Sequence, residues 1–229
     1  MKLALILIAA LVLVGIAGML VFVYVIQNVE QPDYSVVTSD GDFEVRDYPP
    51  LVVAEITRGG TRQQGLSDGF GPLARYIFAK ERGSEAKDET ISMTAPVQQQ
   101  PATGIDSDAK IAMTAPVTQT SHQAGDQHSD GNDRWTVQFI MPSRYKLAEL
   151  PAPAGDVKLR EIPARRIASV RFSGRTTDAA IAEQQQRLRT WMAKQGLTPA
   201  DGPVYAYYND PFTPGPLRRN EIMIPLVAP

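Results

Sequence analysis

The sequence predicts an α+β fold: two related β-β-α-β-β halves sharing one antiparallel sheet or distorted barrel of about eight strands with two helices, behind an N-terminal transmembrane helix. Three observations predict it. The stretch Phe43–Gly60 returns as Val157–Gly174, an offset of 114 residues, with Arg46 matching Arg160, Asp47 matching Glu161, Pro49 matching Pro163, Ala54 matching Ala168 and Gly60 matching Gly174. Each copy is followed by a segment with one apolar stripe at helical spacing, then by strand-like segments. Residues Leu3 to Ile26 run without a single charge.

At about 1.5 Å per residue, about twenty apolar residues cross a bilayer core. A cleaved signal peptide has a shorter apolar run and a small-x-small cleavage site. Here the run ends in Val21-Phe-Val-Tyr-Val-Ile26, a poor cleavage site. The expected organisation is an uncleaved anchor over 1–28, a short linker over 29–33 and one domain over 34–229. Lys2 precedes the span while Glu30 and Asp33 follow it. Positive-inside logic predicts a single-pass membrane protein whose domain is extracytoplasmic, expected to be periplasmic.

The halves run roughly over 34–142 and 157–226. In each, an alternating segment (Phe43–Tyr48 or Val157–Ile162) reaches a proline turn, and a second alternating segment ends at glycine. That pattern predicts a hairpin. The first helix carries Phe70, Leu73, Ala74, Ile77 and Phe78 at i, i+3, i+4, i+7 and i+8. Ser67 is a candidate cap, and Pro72 is expected near the helix start. The glycines of Gly69-x-Gly71 are expected as helix-entry residues. The second helix spans about Asp178 to Gln195, with Ile181, Leu188, Trp191 and Met192 on one face, and ends at Gly196. Closing strands are expected over Ile91–Val97 and Trp135–Pro142, then over Val204–Tyr208 and Asn220–Pro225.

A shorter repeat lies inside the first half. Ile91–Gln100 and Ile111–Thr120 share seven of ten residues, including Met-Thr-Ala-Pro-Val. The first copy is expected to be a local tandem duplication that lengthens one hairpin. Between the second copy and Trp135 lies a polar loop, 118–134, rich in Gln, Ser, Asp, Gly and His.

Composition excludes most chemistry. There is no cysteine, which removes disulfides, thiolate metal sites and covalent haem attachment. The two histidines, His122 and His128, both fall in the polar loop, and no Gly-x-Ser-x-Gly elbow occurs. No catalytic residue is assigned, and the chain is not expected to be an enzyme. Asp126–Asp133 imitates a calcium loop in part, but position 12 would be Val137, where a bidentate glutamate is needed, so no metal site is assigned. No P-loop or dinucleotide fingerprint is present. With a formal net charge of −2 and no basic run, a nucleic-acid partner is not expected. Arg160, Arg165, Arg166, Arg171 and Arg175 either line a site for a carboxylate-bearing ligand or form the solvated face of a hairpin. Met93, Met113, Met141 and Met223 sit on expected strands, where packing is their usual role.

Taken together, several segments carry a resemblance. They are Phe43-Glu-Val-Arg-Asp-Tyr48, the helix around Arg75-Tyr-Ile77, Lys110-Ile-Ala-Met-Thr-Ala-Pro-Val117, Phe139-Ile-Met-Pro142, Phe172-Ser-Gly174, Tyr207-Tyr-Asn-Asp-Pro211 and Arg218-Arg-Asn-Glu221. In this order they resemble the SOUL family, also called the haem-binding protein family, over nearly all of Tyr34 to Leu226. The resemblance implies a duplicated β-β-α-β-β fold closed as a distorted eight-stranded antiparallel barrel with two helices, similar to the effector-binding domain of multidrug-responsive regulators. It implies a non-catalytic binder of haem or another tetrapyrrole. Some members carry a first-strand histidine as an axial ligand, and Asp47 stands there in this chain. Carboxylates are not among the usual haem ligands. Haem is therefore expected to bind without a histidine axial ligand, in an apolar groove of Phe70, Leu73, Ala74, Ile77 and Phe78 with Arg75 beside its propionates. The alternative is a sensor module for small amphipathic ligands or lipids.

Overall fold

The computed structural model describes residues 29–79, 90–102, 133–209 and 213–227, with four isolated positions (10, 13, 15 and 18) of the N-terminal segment. The expected anchor, the second Met-Thr-Ala-Pro-Val copy, Met113, His122, His128 and the calcium-like stretch up to Asn132 lie outside the described residues, apart from those four positions. Among the described residues no helix is long and apolar enough to cross a membrane.

The elements, in chain order, are β1 (Ser35–Asp40), β2 (Phe43–Tyr48), β3 (Leu51–Gly59), α1 (Arg62–Ile77), β4 (Val97–Pro101), β5 (Arg134–Ile140), β6 (Lys158–Ile162), β7 (Arg165–Phe172), α2 (Asp178–Lys194), β8 (Val204–Tyr207) and β9 (Asn220–Pro225). The strands form one antiparallel sheet in the order β1-β2-β7-β9-β8-β4-β5-β3-β6. This corrects the expected eight-stranded barrel to an open sheet of nine, with β1 and β6 at its edges. The extra strand is β1, which pairs with β2 and is exposed along its whole length. The 114-residue echo begins after β1, so the repeat gave no sign of it.

The expected hairpins are absent. Strand β2 pairs with β7 and not with β3, and β6 pairs with β3 and not with β7. Each half lends its first strand to the other. The two pairings share one register: Tyr48 faces Arg165, and Leu51 faces Ile162. Pro49-Pro50 and Pro163-Ala164 therefore lie opposite one another at a shared corner. Three prolines without N–H groups cannot donate to a ladder, and their negative φ does not suit a two-residue hairpin, whose turn needs φ > 0. The chain bends there and continues as one long two-stranded ribbon.

Helix α1 begins earlier than its apolar stripe suggests. Thr61 caps it: the Gln64 N–H donates to the Thr61 hydroxyl (3.3 Å), and the Thr61 N–H donates to Gln64 Oε1 (2.9 Å). This capping box satisfies two end groups at once. Pro72 lies inside the helix, and Gly69 is a mid-helix contact rather than an entry residue. A Cβ on Gly65 would sit 2.9 Å from Trp135, and one on Gly69 would sit 2.7 Å from Val137 Cγ2. The two bare positions, four apart on one face, let α1 lie close on β5. Helix α2 is capped by Thr177 and packs on β7 and β9. Gly196, at φ +67°, ends it in the left-handed region that glycine adopts without strain.

The first Met-Thr-Ala-Pro-Val copy is also placed differently. Its strand, β4, follows the proline, from Val97 on, and pairs with both β5 and β8 near the middle of the sheet. It is a central strand, and the segment joining it to β5, which holds the second copy, lies outside the described residues. The helix-facing side of the sheet holds two cores, one of Ile56, Leu73, Tyr76, Ile77, Val137 and Phe139 under α1, the other of Val45, Val170, Leu188, Met192, Ile222 and Ile224 under α2. The opposite side buries Tyr48, Ile167, Val204, Ala206 and Met223, and nearby Val53, Ile140 and Ile162.

Candidate functional site

The structure divides the expected α1 groove. Leu73 and Ile77 are 0% and 1% exposed and belong to the core, so they do not line a surface groove. Phe70 and Phe78 are 40% and 47% exposed, Ala74 is half-buried between them and Arg75 is exposed. Phe70 already spends part of its surface on an edge contact with Phe139, at 5.2 Å between centroids. What α1 offers a ligand is a narrow outward row, Phe70–Ala74–Phe78, spaced i, i+4, i+8.

Asp47 is engaged. The Arg166 guanidinium donates to both its oxygens, at 2.7 and 2.8 Å, and these hydrogen bonds hold the carboxyl below its usual range. The five arginines expected together are dispersed. Arg160 pairs with Glu55 at 3.0 Å, Arg166 with Asp47, and Arg171 and Arg175 are exposed. Arg165 keeps its Nε buried with no hydrogen-bond partner among the described residues. Burial and then the charge of Arg160 lower its pKa. Strand alternation sends Arg165 and Arg171 to the face opposite Arg166. Met141 and Met223 pack in the core, while Met93 is partly exposed. Among the described residues no cluster of three or more metal-ligating side chains occurs.

A largely buried row, polar except at Ala206, crosses the face away from the helices. Glu221, Ala206, Gln98, Gln138 and Glu55 are successive neighbours on β9, β8, β4, β5 and β3. Glu221 takes hydrogen bonds from Arg46 (2.6 and 3.1 Å), Arg219 (2.7 and 3.0 Å) and Tyr208 (2.9 Å). Burial alone would raise the Glu221 carboxyl, but Arg46 and then Arg219 outweigh it and hold it below its usual value. Burial pushes the neighbouring Tyr48 phenol up to about 12. The Tyr34 ring lies 4.4 Å from the Arg46 guanidinium. Residues just before it tie down the ends of the sheet: Glu30 accepts from the Ala95 and Ser143 N–H groups, and Gln31 from Arg219. Sequence reasoning missed this cluster. Its available signal was the alignment of the closing strands, which sets Glu221 opposite Gln138 of the other half.

A groove of about 420 Å³ opens where α2 passes the start of β2, lined by Phe43, Trp191, Thr190, Gln186, Arg187 and Lys194, with Glu183 at its margin. Phe43 and Trp191 stack at 5.2 Å with planes 9° apart. The Trp191 indole N–H donates to Asp40 at 2.8 Å. Arg187 sits 5.5 Å over the Phe43 ring and 3.5 Å from Asp42. A second depression along α2, lined by Gln186, Arg189, Thr190, Ala193 and Lys194, shares three of these residues. The helical period gave Trp191 as a core residue, which it is. The groove was hidden because Phe43, its other wall, is distant in sequence.

The family model described as SOUL heme-binding protein matches twice, over residues 29–108 and 102–225. The chain belongs to the SOUL heme-binding protein family. The two matched segments correspond to the two interleaved halves. No curated protein matches this SOUL-family chain. Its fold is shared with solved structures at low identity. The C-terminal domain of EcmrR is 12% identical, with a TM-score of 0.53 over 86% of this chain and 99% of that one. EcmrR in its DNA complex is 12% identical with a TM-score of 0.53; the match covers 80% of this chain and spans 56% of the EcmrR chain. A protein described as a hydrolase from Listeria innocua is also 12% identical, with a TM-score of 0.50 over 83% and 94%. These likenesses show the fold alone.

Haem fits this SOUL chain in part. Apolar surface for a macrocycle is present on α1 and beside α2, and cations stand near both. An axial ligand at the first-strand position is not, because Asp47 is a carboxylate already bound to Arg166.

Proposed function

We propose that this protein captures haem or a related tetrapyrrole without transforming it. The observation that carries this reading is the family match across both halves. Affinity would come from covering an apolar macrocycle and pairing its carboxylates with arginine or lysine, not from axial coordination. The α1 row of Phe70, Ala74 and Phe78, with Arg75 beside it, is one face for such a ligand, and Leu73 and Ile77 back it from the core. We also propose that residues 3–26 anchor the chain with its domain outside the cytoplasm. Persistence of the protein in washed membranes after deletion of 1–28 would argue against that anchor.

Titration of the purified full-length protein with haemin, followed in the Soret region against a detergent-only blank, is expected to give a saturable change at micromolar haemin. A linear, unsaturable response overturns the reading. Asp47→His sets an imidazole on the same β2 face as Phe43. It is expected to tighten haemin binding and shift the Soret maximum; an unchanged spectrum would place the ligand away from β2.

A second reading, a sensor for small amphipathic ligands, is favoured by the Asp47–Arg166 pair, which occupies the axial position. Native mass spectrometry of protein taken from its host would support it by a co-purifying ligand that is not a tetrapyrrole.

A further inference from the structure

We infer that the groove between α2 and the start of β2 seats a planar tetrapyrrole carboxylate. The inference rests on the tetrapyrrole reading above and names the place of binding.

The two halves provide a comparison within one molecule. Phe43 of β2 corresponds to Val157 before β6, and Trp191 of α2 corresponds to Tyr76 of α1, since Leu188 and Met192 match Leu73 and Ile77. In the first half this position is filled. Tyr76 is fully buried, its hydroxyl donates to the Pro151 carbonyl (2.8 Å), and Leu150 and Tyr145 pack into the same cluster as Val157. In the second half the corresponding position is the open groove. One copy of the repeat carries a plug supplied by 145–151, and the other does not.

The open copy has the chemistry of a planar anion site. Its floor is the half-buried Phe43 ring, backed by the buried Trp191 ring stacked on it in a nearly parallel plane, and the Trp191–Asp40 hydrogen bond fixes the tilt of the larger ring. Such a floor favours a flat π-system in offset stacking. Its rim holds Arg187 and Lys194, and Arg189 stands in the adjoining depression. Neither Lys194 nor Arg189 has a carboxylate partner among the described residues. Glu183 and Asp42 are the acids nearby, and Asp42 is loosely held by Arg187 at 3.5 Å. Two or three cations at the edge of a flat apolar floor complement a ring system bearing two carboxylates. Arg187 acts as a movable cover: its side chain is 43% exposed, and it rests on the Phe43 face a ligand would take. It donates to Gln184 Oε1 at 2.6 Å, a hydrogen bond it would exchange for one to a ligand carboxylate. Swinging outward, it frees that face and reaches a carboxylate in one motion.

The lining residues include no histidine, cysteine, methionine or tyrosine. The groove therefore recognises the ring and its acids, not the iron. Haemin and metal-free protoporphyrin IX are expected to bind with affinities within about threefold of each other.

The test uses full-length protein and both probes. The double variant R187E/K194E reverses the rim charge, and Thr190→Trp, at an exposed helix position, fills the groove. Leu217→Ser, at an exposed apolar residue outside the groove, serves as the comparison, and thermal melts establish that each variant is folded. Both α2 variants are expected to weaken binding about tenfold or more, and Leu217→Ser less than about twofold. Wild-type binding that the α2 variants leave unchanged overturns the groove but not the tetrapyrrole reading. Haemin binding more than tenfold tighter than protoporphyrin IX also overturns the groove alone. No saturable wild-type binding of either probe overturns both.

Discussion

Glu221 shows how one side chain organises the half of the sheet that lacks α1. Its side chain is fully buried, with guanidinium groups from β2 and from the approach to β9 on either side. Removing one member of such a buried pair leaves an uncompensated charge. Glu221→Gln is expected to lower stability by about 3–5 kcal/mol, measured by urea unfolding at neutral pH. The pH dependence has a definite sign. The folded carboxyl has a pKa below its unfolded value near 4.5, so as pH falls the unfolded chain takes up the proton first. The stabilisation is complete above about 4.5 and fades as pH drops through the folded value. The Gln variant should lack that contribution to acid sensitivity. Half of this arrangement was legible in the sequence, where the echo aligns Arg46 with Arg160. The acids were not, because they differ between halves: Arg46 reaches Glu221 on β9, whereas Arg160 reaches Glu55 on β3, and Gln138 stands where Glu221 would. A lone charge in a strand pattern reads as solvent-facing until its partner, here 175 residues away, is known. Phe70 and Phe78 were legible as an apolar row, but periodicity could not say that Leu73 and Ile77 behind them were core.

Among the elements, α1 departs most from its sequence pattern. The apolar stripe starts at Phe70, but the helix starts two turns earlier, at a Thr61-x-x-Gln64 box followed by a glycine-bearing face. That signal was present in the sequence and was outweighed by the stripe and by Pro72. The glycines are where two opposing effects can be compared. Alanine at Gly69 gains about 1 kcal/mol in helix propensity, but its Cβ would meet Val137 at 2.7 Å on a β-branched, backbone-anchored side chain. Overpacking of this kind costs about 1–3 kcal/mol, so Gly69→Ala is expected to lower Tm despite the better helix former. Ser67→Ala, at an exposed position of the same helix, is the control, because it gains helix propensity without meeting the sheet; it should leave Tm level or raise it. Strand β4 was misplaced for a related reason. The expected strand, Ile91–Val97, lies almost wholly before Val97, whereas β4 starts just after Pro96.

The whole molecule is two copies that cannot be separated by a cut. The sequence made the duplication legible, since its echo, helices and closing strands all recur. It could not give strand partners, because alternation specifies which face a residue takes and not which strand lies beside it. A hairpin is the local guess; the prolines at the corner turned it into an exchange. A fragment of residues 29–142 therefore lacks β6 and β7, the partners of β3 and β2, and is expected to show no cooperative melt alone. Mixed with residues 143–229 it should regain one, followed by far-ultraviolet circular dichroism. A cooperative melt of either fragment as a monomer would contradict the interleaving. The exchange also sets a timetable for the ribosome. Strand β2 is made early, yet its partner does not exist until Phe172 has been polymerised, about three-quarters of the way along the chain. Strand β3 has only β5 beside it until β6 is made, ending at Ile162, and β2 waits longer, with β1, as a bare two-stranded ribbon. At about 5–20 residues per second, more than a hundred residues of waiting amount to several seconds or longer. A chaperone that meets this chain during synthesis should bind the unpaired Phe43–Leu51 stretch and leave it once β7 emerges.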